Sequence, residues 1–546
     1  MDVLPPGKPR NMFSFDALNY PYASRRNVVY ARRGMVATSQ PLAAQAGLQV
    51  LQGGGNAIDA AIATAAALSV VEPTANGIGG DAFALVWHNG KLHGLNASGP
   101  APQSLTLDKM TSLGHAEMPK YGPLPITVPG TPAAWAALSA RFGRLPLSAS
   151  MAGAIELAEI GFPVSPSVAF AWQQAFKLFK QQFKDAHFKS WFDTFAPERA
   201  PQAGEMWRSL PHAQTLQSIA ESNAESFYRG ALAERICQCV QSAGGYLTLP
   251  DLVDFAVDWC DPISVNYRGY DVWEIPPNGH GLVALIALNI LKGFEFTDRD
   301  ALRTYHRQIE ATKLAFADGF AHIAEPAHMR VSVNDLLSEE YANERRTLIG
   351  ERASLPMPGA PSRGGTVYLS TADQEGNMVS FIQSNYMGFG SGMVVPGTGI
   401  ALHNRGNNFS LKPEHPNCLA PGKRPYHTII PGFLTQNGQA VGPFGVMGGF
   451  MQPQGHVQMV MNTVDFGLNP QASLDAPRWE WETANRVNME RSTPEHLVHS
   501  LAGLGHDVSW SNNRMAFGRG QIIWRNAEGV LCGGTEPRTD GSIAAW

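Results

Sequence analysis

The hydrophobic pattern of this sequence changes abruptly at Thr366. From residue 133 to residue 325, apolar residues recur mostly with helical spacing, as in AAWAALSARFG and LRTYHRQIEATKLAFADGFAHI. Residues 326–363 predict a looser linker whose end is rich in Pro, Gly and Arg. Strand-like stretches follow, beginning with TVYLSTA and MVSFIQS. The chain must therefore combine a helix-rich and a strand-rich part, and the boundary falls at a threonine preceded by two glycines.

Residues 362–380, SRGGTVYLSTADQEGNMVS, predict a β-hairpin. Val367, Leu369 and Thr371 alternate with the residues between them, and a polar turn leads into a second apolar stretch. The simplest interpretation is an ordinary edge hairpin with a flexible glycine entry. It leaves unexplained why the strand should begin with Gly-Gly-Thr.

A threonine at the head of a strand could serve as a nucleophile. Its hydroxyl is a weak nucleophile unless a base lies within hydrogen-bond reach, and an amino-terminal threonine has such a base in its own α-amine, with a pKa of about 7.7–8.0. Cleavage between Gly365 and Thr366 would create that amine, and glycine tolerates the strained geometry that this cleavage needs. Gly448 and Gly449 are candidates for an oxyanion hole, since their backbone N–H groups have no Cβ beside them.

The first strongly patterned block predicts two helices and a strand. Ser39 can cap a helix that has Pro41 in its first turn, and three glycines end it. Asn56 caps a second helix that ends before Pro73 and is apolar all round, so it should be buried. Residues 82–87 predict a strand. The stretch GGGNAIDAA follows a helix rather than a strand, lacks the GxGxxG spacing and has no Walker lysine, which argues against a nucleotide site.

Composition excludes several classes of protein. The formal net charge is −5 over 546 residues, which argues against nucleic-acid binding. No stretch reaches membrane-span length and the N-terminus has no apolar signal-type region, so we expect a cytoplasmic, reduced protein without membrane partners. The cysteines are odd in number and scattered, which predicts neither a disulfide framework nor a zinc site. They are Cys237, Cys239, Cys260, Cys418 and Cys532.

Four blocks follow one another between residue 34 and the C-terminus in the order typical of one enzyme family. They are GMVATSQPLAAQAGLQVLQGGGNAIDAAIATAAALSVVEPTANGIGGDAF, PISVNYRGYDVWEIPPNGHG, TVYLSTADQEGNMVS and GGFMQPQGHVQMVMNTVDFGLNPQASLDAPRW. Together they resemble the gamma-glutamyltransferase (glutathione hydrolase) family of N-terminal-nucleophile hydrolases. The resemblance implies an α/β (α+β) fold, a four-layer αββα sandwich with two stacked antiparallel sheets between helical layers.

The resemblance also implies a proenzyme that cuts itself. The products would be a large chain, 1–365, and a small chain, 366–546, that stay intertwined as a heterodimer; further dimerisation is left open. The implied partner is a small-molecule amide, and no metal or organic cofactor is implied. Thr366 matches the family nucleophile, and Gly448 and Gly449 match the oxyanion glycines. Ser384 falls where the family has a second hydroxyl residue, although it could be a plain strand serine.

The sequence departs from the family where the glutamyl head group is bound. Ser98 falls at about the place of the family's carboxylate-binding arginine, and Asn408 replaces the aspartate that holds the α-amine. Arg405 replaces an amide or acidic residue just before it. Arg405 could instead be an ordinary salt-bridge residue, and Asn408 could merely cap a turn.

Three further substitutions fall in the same region. Tyr386 stands where an asparagine is usual, and His427 and Thr428 replace a pair of serines. His427 could be a packed, hydrogen-bonded histidine rather than a base. We therefore predict that Tyr386, Arg405, Asn408, His427 and Thr428 bind the substrate.

These departures predict a threonine amidohydrolase or acyltransferase that acts on a γ-glutamyl or related acyl amide. Charged hydrogen bonds are each worth about 1.5–3 kcal/mol, so losing both head-group charges should make glutathione a poor substrate. Arg405 predicts an acidic acyl group instead, because its planar fork suits a carboxylate. A true glutathione hydrolase with rebuilt contacts is one alternative. An idle homologue that acts as a binding or scaffold protein is another, which the intact Thr366, Gly448 and Gly449 disfavour.

Overall fold

Two seven-stranded antiparallel sheets form the centre of the protein. The computed structural model describes residues 26–355 and 365–546. Its strands in chain order are β1 Val29–Ala31, β2 Gly34–Thr38, β3 Asp81–His88, β4 Lys91–Ala97, β5 Phe162–Pro163, β6 Met206–Trp207, β7 Asp258–Cys260, β8 Ile263–Tyr267, β9 Tyr270–Glu274, β10 Gly365–Asp373, β11 Met378–Tyr386, β12 Gly432–Gln436, β13 Gln439–Met447, β14 Trp479–Thr483, β15 Arg486–Glu490, β16 Asp507–Ser511, β17 Arg519–Arg525, β18 Leu531–Thr535 and β19 Ser542–Ala545.

Helices cover both outer faces of this pair of sheets. In chain order they are α1 Pro41–Gln52, α2 Ala57–Val71, α3 Leu107–Ser112, α4 Thr131–Phe142, α5 Leu147–Ile160, α6 Pro166–Gln182, α7 Lys189–Phe195, α8 Leu210–Glu221, α9 Glu225–Arg229, α10 Ala231–Ser242, α11 Leu249–Val253, α12 Gly281–Leu291, α13 Leu302–His322, α14 Val333–Leu336, α15 Glu339–Thr347, α16 Met451–Val464, α17 Pro470–Asp475 and α18 Glu495–Gly503. Among the described residues, no helix is both long and apolar enough to cross a membrane.

The order of strands places the predicted hairpin at the centre of its sheet. One sheet runs β1-β18-β17-β13-β12-β9-β8 and the other runs β19-β2-β10-β11-β3-β4-β7. The hairpin of β10 and β11 is confirmed, but it lies between β2 and β3, so the edge-hairpin interpretation is wrong. An edge position would leave one row of β10 backbone groups unpaired, whereas β2 takes up that row.

The layers stack as predicted. The helix α2 packs on β10 and β11, and α16 packs on β13. Between them, β10 faces β13, and the two sheets approach closely at Gly445, where a Cβ would lie 2.5 Å from Cε2 of Tyr368. The four-layer αββα sandwich is therefore confirmed, with the hydrophobic core on both sides of each sheet.

The two helices and the strand predicted for the first patterned block are confirmed, and one predicted cap is wrong. Every residue of α2 is buried, and Asn56 forms a capping box with Asp59. The predicted strand at 82–87 is β3. Ser39 is not the N-cap of α1, because the side chain of Gln40 accepts the Leu42 N–H at 2.8 Å. Ser39 instead donates to Glu72 Oε2 at 2.5 Å, which draws the end of α2 toward the start of α1.

The predicted linker at 326–363 is partly helical. Ser332 caps α14 and Ser338 caps α15, and both serines accept a backbone N–H of the helix that they begin. Arg346 in α15 donates to the backbone oxygen of Ile290 at 2.8 Å, which ties this region to α12. The end of the predicted linker, 356–364, lies outside the described residues.

Candidate active site

Thr366 lies in a distortion of the central hairpin. Gly365 pairs with Tyr386 and Val367 pairs with Gln383, so one residue of β10 faces two of β11 in a bulge. A bulge re-aims the side chain at its centre. The Thr366 side chain is buried, and its hydroxyl donates to Ser384 Oγ at 3.2 Å. The two hydroxyl residues predicted from the sequence are therefore in contact.

A glutamine that sequence reasoning missed also contacts the threonine. Gln452, in the first turn of α16, donates from Nε2 to Thr366 Oγ1 at 3.4 Å. Its Oε1 accepts the N–H of Ile430 at 2.9 Å, which orients the amide. The only signal was its place three residues after Gly449, at the start of an expected helix.

The two glycines form the turn between β13 and α16. Gly448 has φ of 139° and Gly449 has φ of 60°, a backbone region that favours glycine. A Cβ on Gly448 would lie 3.1 Å from the Cα of Gly518. Because Gln452 in the first turn of α16 contacts Thr366, the Gly448–Gly449 turn lies close to Thr366. The N-terminal end of a helix also favours a developing negative charge.

A fully buried charged cluster, centred on Asp81, lies beside the contact between Thr366 and Ser384. Asp81 begins β3 and pairs with Ser384 across the sheet. Its Oδ2 accepts from Arg405 Nε at 3.0 Å and from His427 Nε2 at 2.5 Å, and its Oδ1 accepts from Arg405 at 3.2 Å. The imidazole of His403 is also 3.5 Å away. Sequence reasoning missed Asp81, whose only signal was its place after the paired glycines of GIGGDAF.

The charges of this cluster are balanced internally. Burial alone would raise the pKa of the Asp81 carboxyl, but Arg405 and His427 outweigh it and hold the pKa well below its usual range. Burial, together with Arg405, lowers the pKa of His427 to about 4, although Asp81 opposes this. Its Nδ1 accepts the N–H of Ile429 at 3.3 Å, so Nε2 carries the proton. The structure thus shows His427 as a neutral, packed histidine.

Arg405 is fully occupied by protein partners. Besides Asp81, its guanidinium donates to Thr428 Oγ1 at 2.7 Å and lies over the ring of Tyr386 at 4.6 Å. Tyr386 has φ of 71°, a strained value for a non-glycine residue that its neighbours must impose. We therefore correct the expectation that the fork of Arg405 is free for a substrate carboxylate. The ion pair with Asp81 already satisfies it.

The remaining predicted head-group positions lie at a neighbouring loop. Asn408 Nδ2 donates to the Tyr426 backbone oxygen at 3.0 Å and so ties two loop segments together. The buried Ser98 offers its backbone oxygen to Arg424 Nε at 2.8 Å. A guanidinium, that of Arg424, thus lies beside Ser98 in space, and it also pairs with Asp258.

One cluster of possible metal ligands lies away from this site. The ligand atoms of His306, Glu310 and His506 lie within 4.8 Å of one another. However, Lys313 Nζ is 2.6 Å from Glu310 Oε1, which neutralises that carboxylate. Glu310 also accepts the N–H of Ser354 at 3.0 Å. These contacts make the cluster better suited to holding the segment ahead of residue 356 in place than to binding a cation.

A cavity of about 630 Å³ opens at the turn of Gly448 and Gly449. Gly448 lines it, together with one face of α6 and a segment represented by Asn513, Met515, Ala516 and Arg519. Among the described residues that line this cavity, none belongs to the predicted head-group positions around Asp81. The charged cluster reaches Thr366 through Ser384, whereas the cavity reaches the Gly448–Gly449 turn, so the two regions are separate.

Comparisons with known proteins match nearly the whole chain. The family model described as Gamma-glutamyltranspeptidase matches residues 43–546. The chain is 35% identical over 526 residues to the glutathione hydrolase-like YwrD proenzyme of Bacillus subtilis, covering 94% of this chain and 98% of the relative. It is 36% identical over 527 residues to the oxamate amidohydrolase proenzyme of Klebsiella pneumoniae, with the same coverage. The crystal structure of cephalosporin acylase from Bacillus halodurans is 63% identical, with a TM-score of 0.94 over 97% of this chain and 99% of that one.

Proposed function

This chain belongs to the gamma-glutamyltranspeptidase family of amide hydrolases, and from that premise we propose that it cuts itself at Gly365–Thr366 and then hydrolyses an acyl amide with Thr366. The observation that carries the proposal is the placement of Thr366 in a bulge, in contact with Ser384 and Gln452 and beside the Gly448–Gly449 turn.

Self-cleavage would begin with attack by Thr366 Oγ1 on the carbonyl carbon of Gly365. The peptide C–N bond breaks as the C–O bond forms, and the hydroxyl proton passes to the departing nitrogen. The result is an ester between Gly365 and the Thr366 side chain, with a free α-amine. Water then cleaves the ester and leaves a carboxylate on Gly365. Ser384 orients the attacking hydroxyl by accepting its hydrogen bond.

The resulting chains, 1–365 and 366–546, would remain locked together. Strands β10 and β11 of the small chain lie between β2 and β3 of the large chain, and β12 pairs with β9. Both sheets are thus shared by the two chains. Separating them would break the central pairings of one sheet, so the processed enzyme is a stable heterodimer.

In turnover, the new α-amine takes the proton of the Thr366 hydroxyl. The hydroxyl oxygen attacks the acyl carbon, and the N–H groups of Gly448 and Gly449 stabilise the oxyanion. The amine half leaves with the proton, and water releases the acyl group from the acyl-threonine ester. His427 is not the base, because its proton-bearing nitrogen is bound to Asp81 and its pKa is lowered to about 4.

We place the preferred substrate among acyl amides other than γ-glutamyl compounds. Asn408 provides no carboxylate for an α-amine, and Arg405 is paired with Asp81. The relatives named oxamate amidohydrolase and cephalosporin acylase support this placement, because their names denote amides other than γ-glutamyl compounds. Tyr386 and Thr428 support Arg405 in holding the shape of the acyl site.

A second candidate function is glutathione hydrolysis, and thus a part in glutathione metabolism. One observation favours it: Arg424 lies against Ser98, so a cation is present near the expected carboxylate position. The pairing of Arg424 with Asp258 weakens this candidate, because the charge is already partly balanced.

The test is processing followed by a substrate panel. On a denaturing gel, the parent should give bands at about two thirds and one third of 59.0 kDa, since 365 of 546 residues precede the cut. Thr366→Ala should stay a single, inactive chain, and Thr366→Ser should process slowly. Simple acyl amides should be hydrolysed faster than glutathione. A Thr366→Ala protein that still splits at this bond would reject self-cleavage, and preferential hydrolysis of glutathione would favour the second candidate.

A further inference from the structure

The cavity beside Gly448 has the character of a binding site for one half of the amide. Helix α6 forms an apolar wall, on which Phe170 is 53% exposed and Leu178 is 38% exposed. Exposed apolar side chains along a concave surface are typical of ligand sites. The opposite wall carries polar and charged side chains, among them Glu480 and Arg519.

Arg519 is placed close to the reaction centre by the sheet register. It is the first residue of β17 and pairs with Met447, the residue directly before Gly448. Gly518, just before it, lies against the Gly448 backbone. Arg519 therefore lines the cavity beside the turn that would hold the oxyanion.

The guanidinium of Arg519 is buried and incompletely satisfied. Arg519 is only 8% exposed, and its Nε has no hydrogen-bond partner among the described residues. Its ion pair among the described residues is a contact of 3.4 Å between Nη1 and Glu72 Oε1, longer than a normal charged hydrogen bond. Buried polar groups are normally satisfied, so this donor indicates a missing acceptor.

The neighbouring acids leave room for a ligand carboxylate. The other oxygen of Glu72, Oε2, accepts from Ser39. Burial raises the pKa of Glu72, and Arg519 opposes the rise. Across the cavity, Glu480 Oε2 accepts from Asn488 Nδ2 at 3.3 Å.

We propose that this cavity binds the amine half of the substrate and that Arg519 binds a carboxylate on that half. The substrate class is an amide whose leaving amine carries an apolar or aromatic body and a carboxylate, as an amino acid does. The inference rests on the proposed function. The head-group positions around Asp81 lie on the acyl side of Thr366 by resemblance to the family, and the cavity is separate from them. The α6 wall takes the apolar body, and the Arg519 fork takes the carboxylate.

The experiment compares two amides that share one acyl group and differ only in the amine. The amines are 4-aminobenzoate and the neutral 4-aminobenzamide, joined to the simple acyl group that the processed parent hydrolyses fastest. The parent should prefer the aminobenzoate amide by about 10- to 100-fold in kcat/KM, the range of a charged hydrogen bond. Arg519→Met should bring that ratio close to one. The control variant Arg525→Met, at the other end of β17, should keep the preference of the parent.

A measurement on the parent alone guards against misfolding of the variant. Free 4-aminobenzoate should inhibit the processed enzyme more strongly than 4-aminobenzamide. Equal inhibition and equal turnover by a processed, active parent would overturn the inference and leave the proposed function intact. A preference that follows a carboxylate on the acyl half, and persists in Arg519→Met, would also overturn it. A parent that neither processes nor hydrolyses any amide would instead defeat the proposed function itself.

Discussion

Replacing Arg405 by methionine tests whether the Asp81 cluster is an internal structural ion pair. The substitution leaves the carboxylate of Asp81 buried without its main counter-charge. Removing one partner of a buried pair costs about 3–5 kcal/mol. We expect a loss of that size in the free energy of unfolding at pH 8.5, measured by urea denaturation in a Thr366→Ala background so that one chain unfolds. Arg144→Met is the matched control, because Arg144 and Glu375 are each about half exposed, and such pairs are worth about 1 kcal/mol or less.

The pH dependence of that loss provides a sharper check. Burial and Arg405 lower the pKa of His427 to about 4 in the parent, and Asp81 opposes this. A folded-state pKa below the unfolded value of about 6.5 contributes stability that is present above pH 6.5 and is lost as pH falls toward 4. Without Arg405, one cause of the lowering is gone, so the variant should lose less of its stability as the pH falls; each unit by which the pKa of His427 rises is worth up to about 1.4 kcal/mol. The destabilisation should therefore be smaller at pH 5.5 than at pH 8.5. A variant that is as stable as the parent at pH 8.5 would refute the reasoning.

Three further outcomes are expected. His427→Ala should keep the acid limb of the pH–rate profile, since that limb reports the α-amine of Thr366, which titrates near or below pH 8. Loss of the limb in a processed His427→Ala protein would make the imidazole the base. Gln452→Leu should slow self-cleavage by about tenfold or less, the worth of one neutral hydrogen bond, and an unchanged rate in a time course would remove Gln452 from the site. Burial lowers the pKa of His506 to about 3, so its neutral form contributes stability above pH 6.5 that is lost as pH falls toward 3. In urea denaturation, His506→Gln should therefore lose less stability than the parent as pH falls over this range. An unchanged pH dependence of stability would contradict this.

Much of the fold could be predicted because its signals are local. The continuous apolar character of residues 57–71 requires a buried helix, and the alternation after Thr366 requires a strand, whatever surrounds them. Glycines 448 and 449 marked a turn, and the structure gives both the positive φ values that favour glycine. These features depend on near neighbours in the chain, so their prediction needs no knowledge of the tertiary structure.

The linker and the cap of α1 show where local reasoning fails. Residues 333–347 are low in apolar content and resembled a linker, yet serine caps and the packing of α15 against α12 make part of them helical. Ser39 looked like a cap but donates to Glu72, which a neighbouring helix brings within reach. In both cases a tertiary contact outweighed the local preference.

The sequence by itself determined the candidate nucleophile, the strand that begins at it and the glycine turn. Only the tertiary structure decided what the charged side chains do. Arg405 looked free to bind a substrate until the pairing of Asp81 with Ser384 placed a carboxylate beside it, 324 residues away in the chain. The same is true of Arg519, whose place at the cavity follows from the register of β13 and β17. A charge acts on whatever lies within a few ångströms, and distant segments become neighbours only when the sheets form.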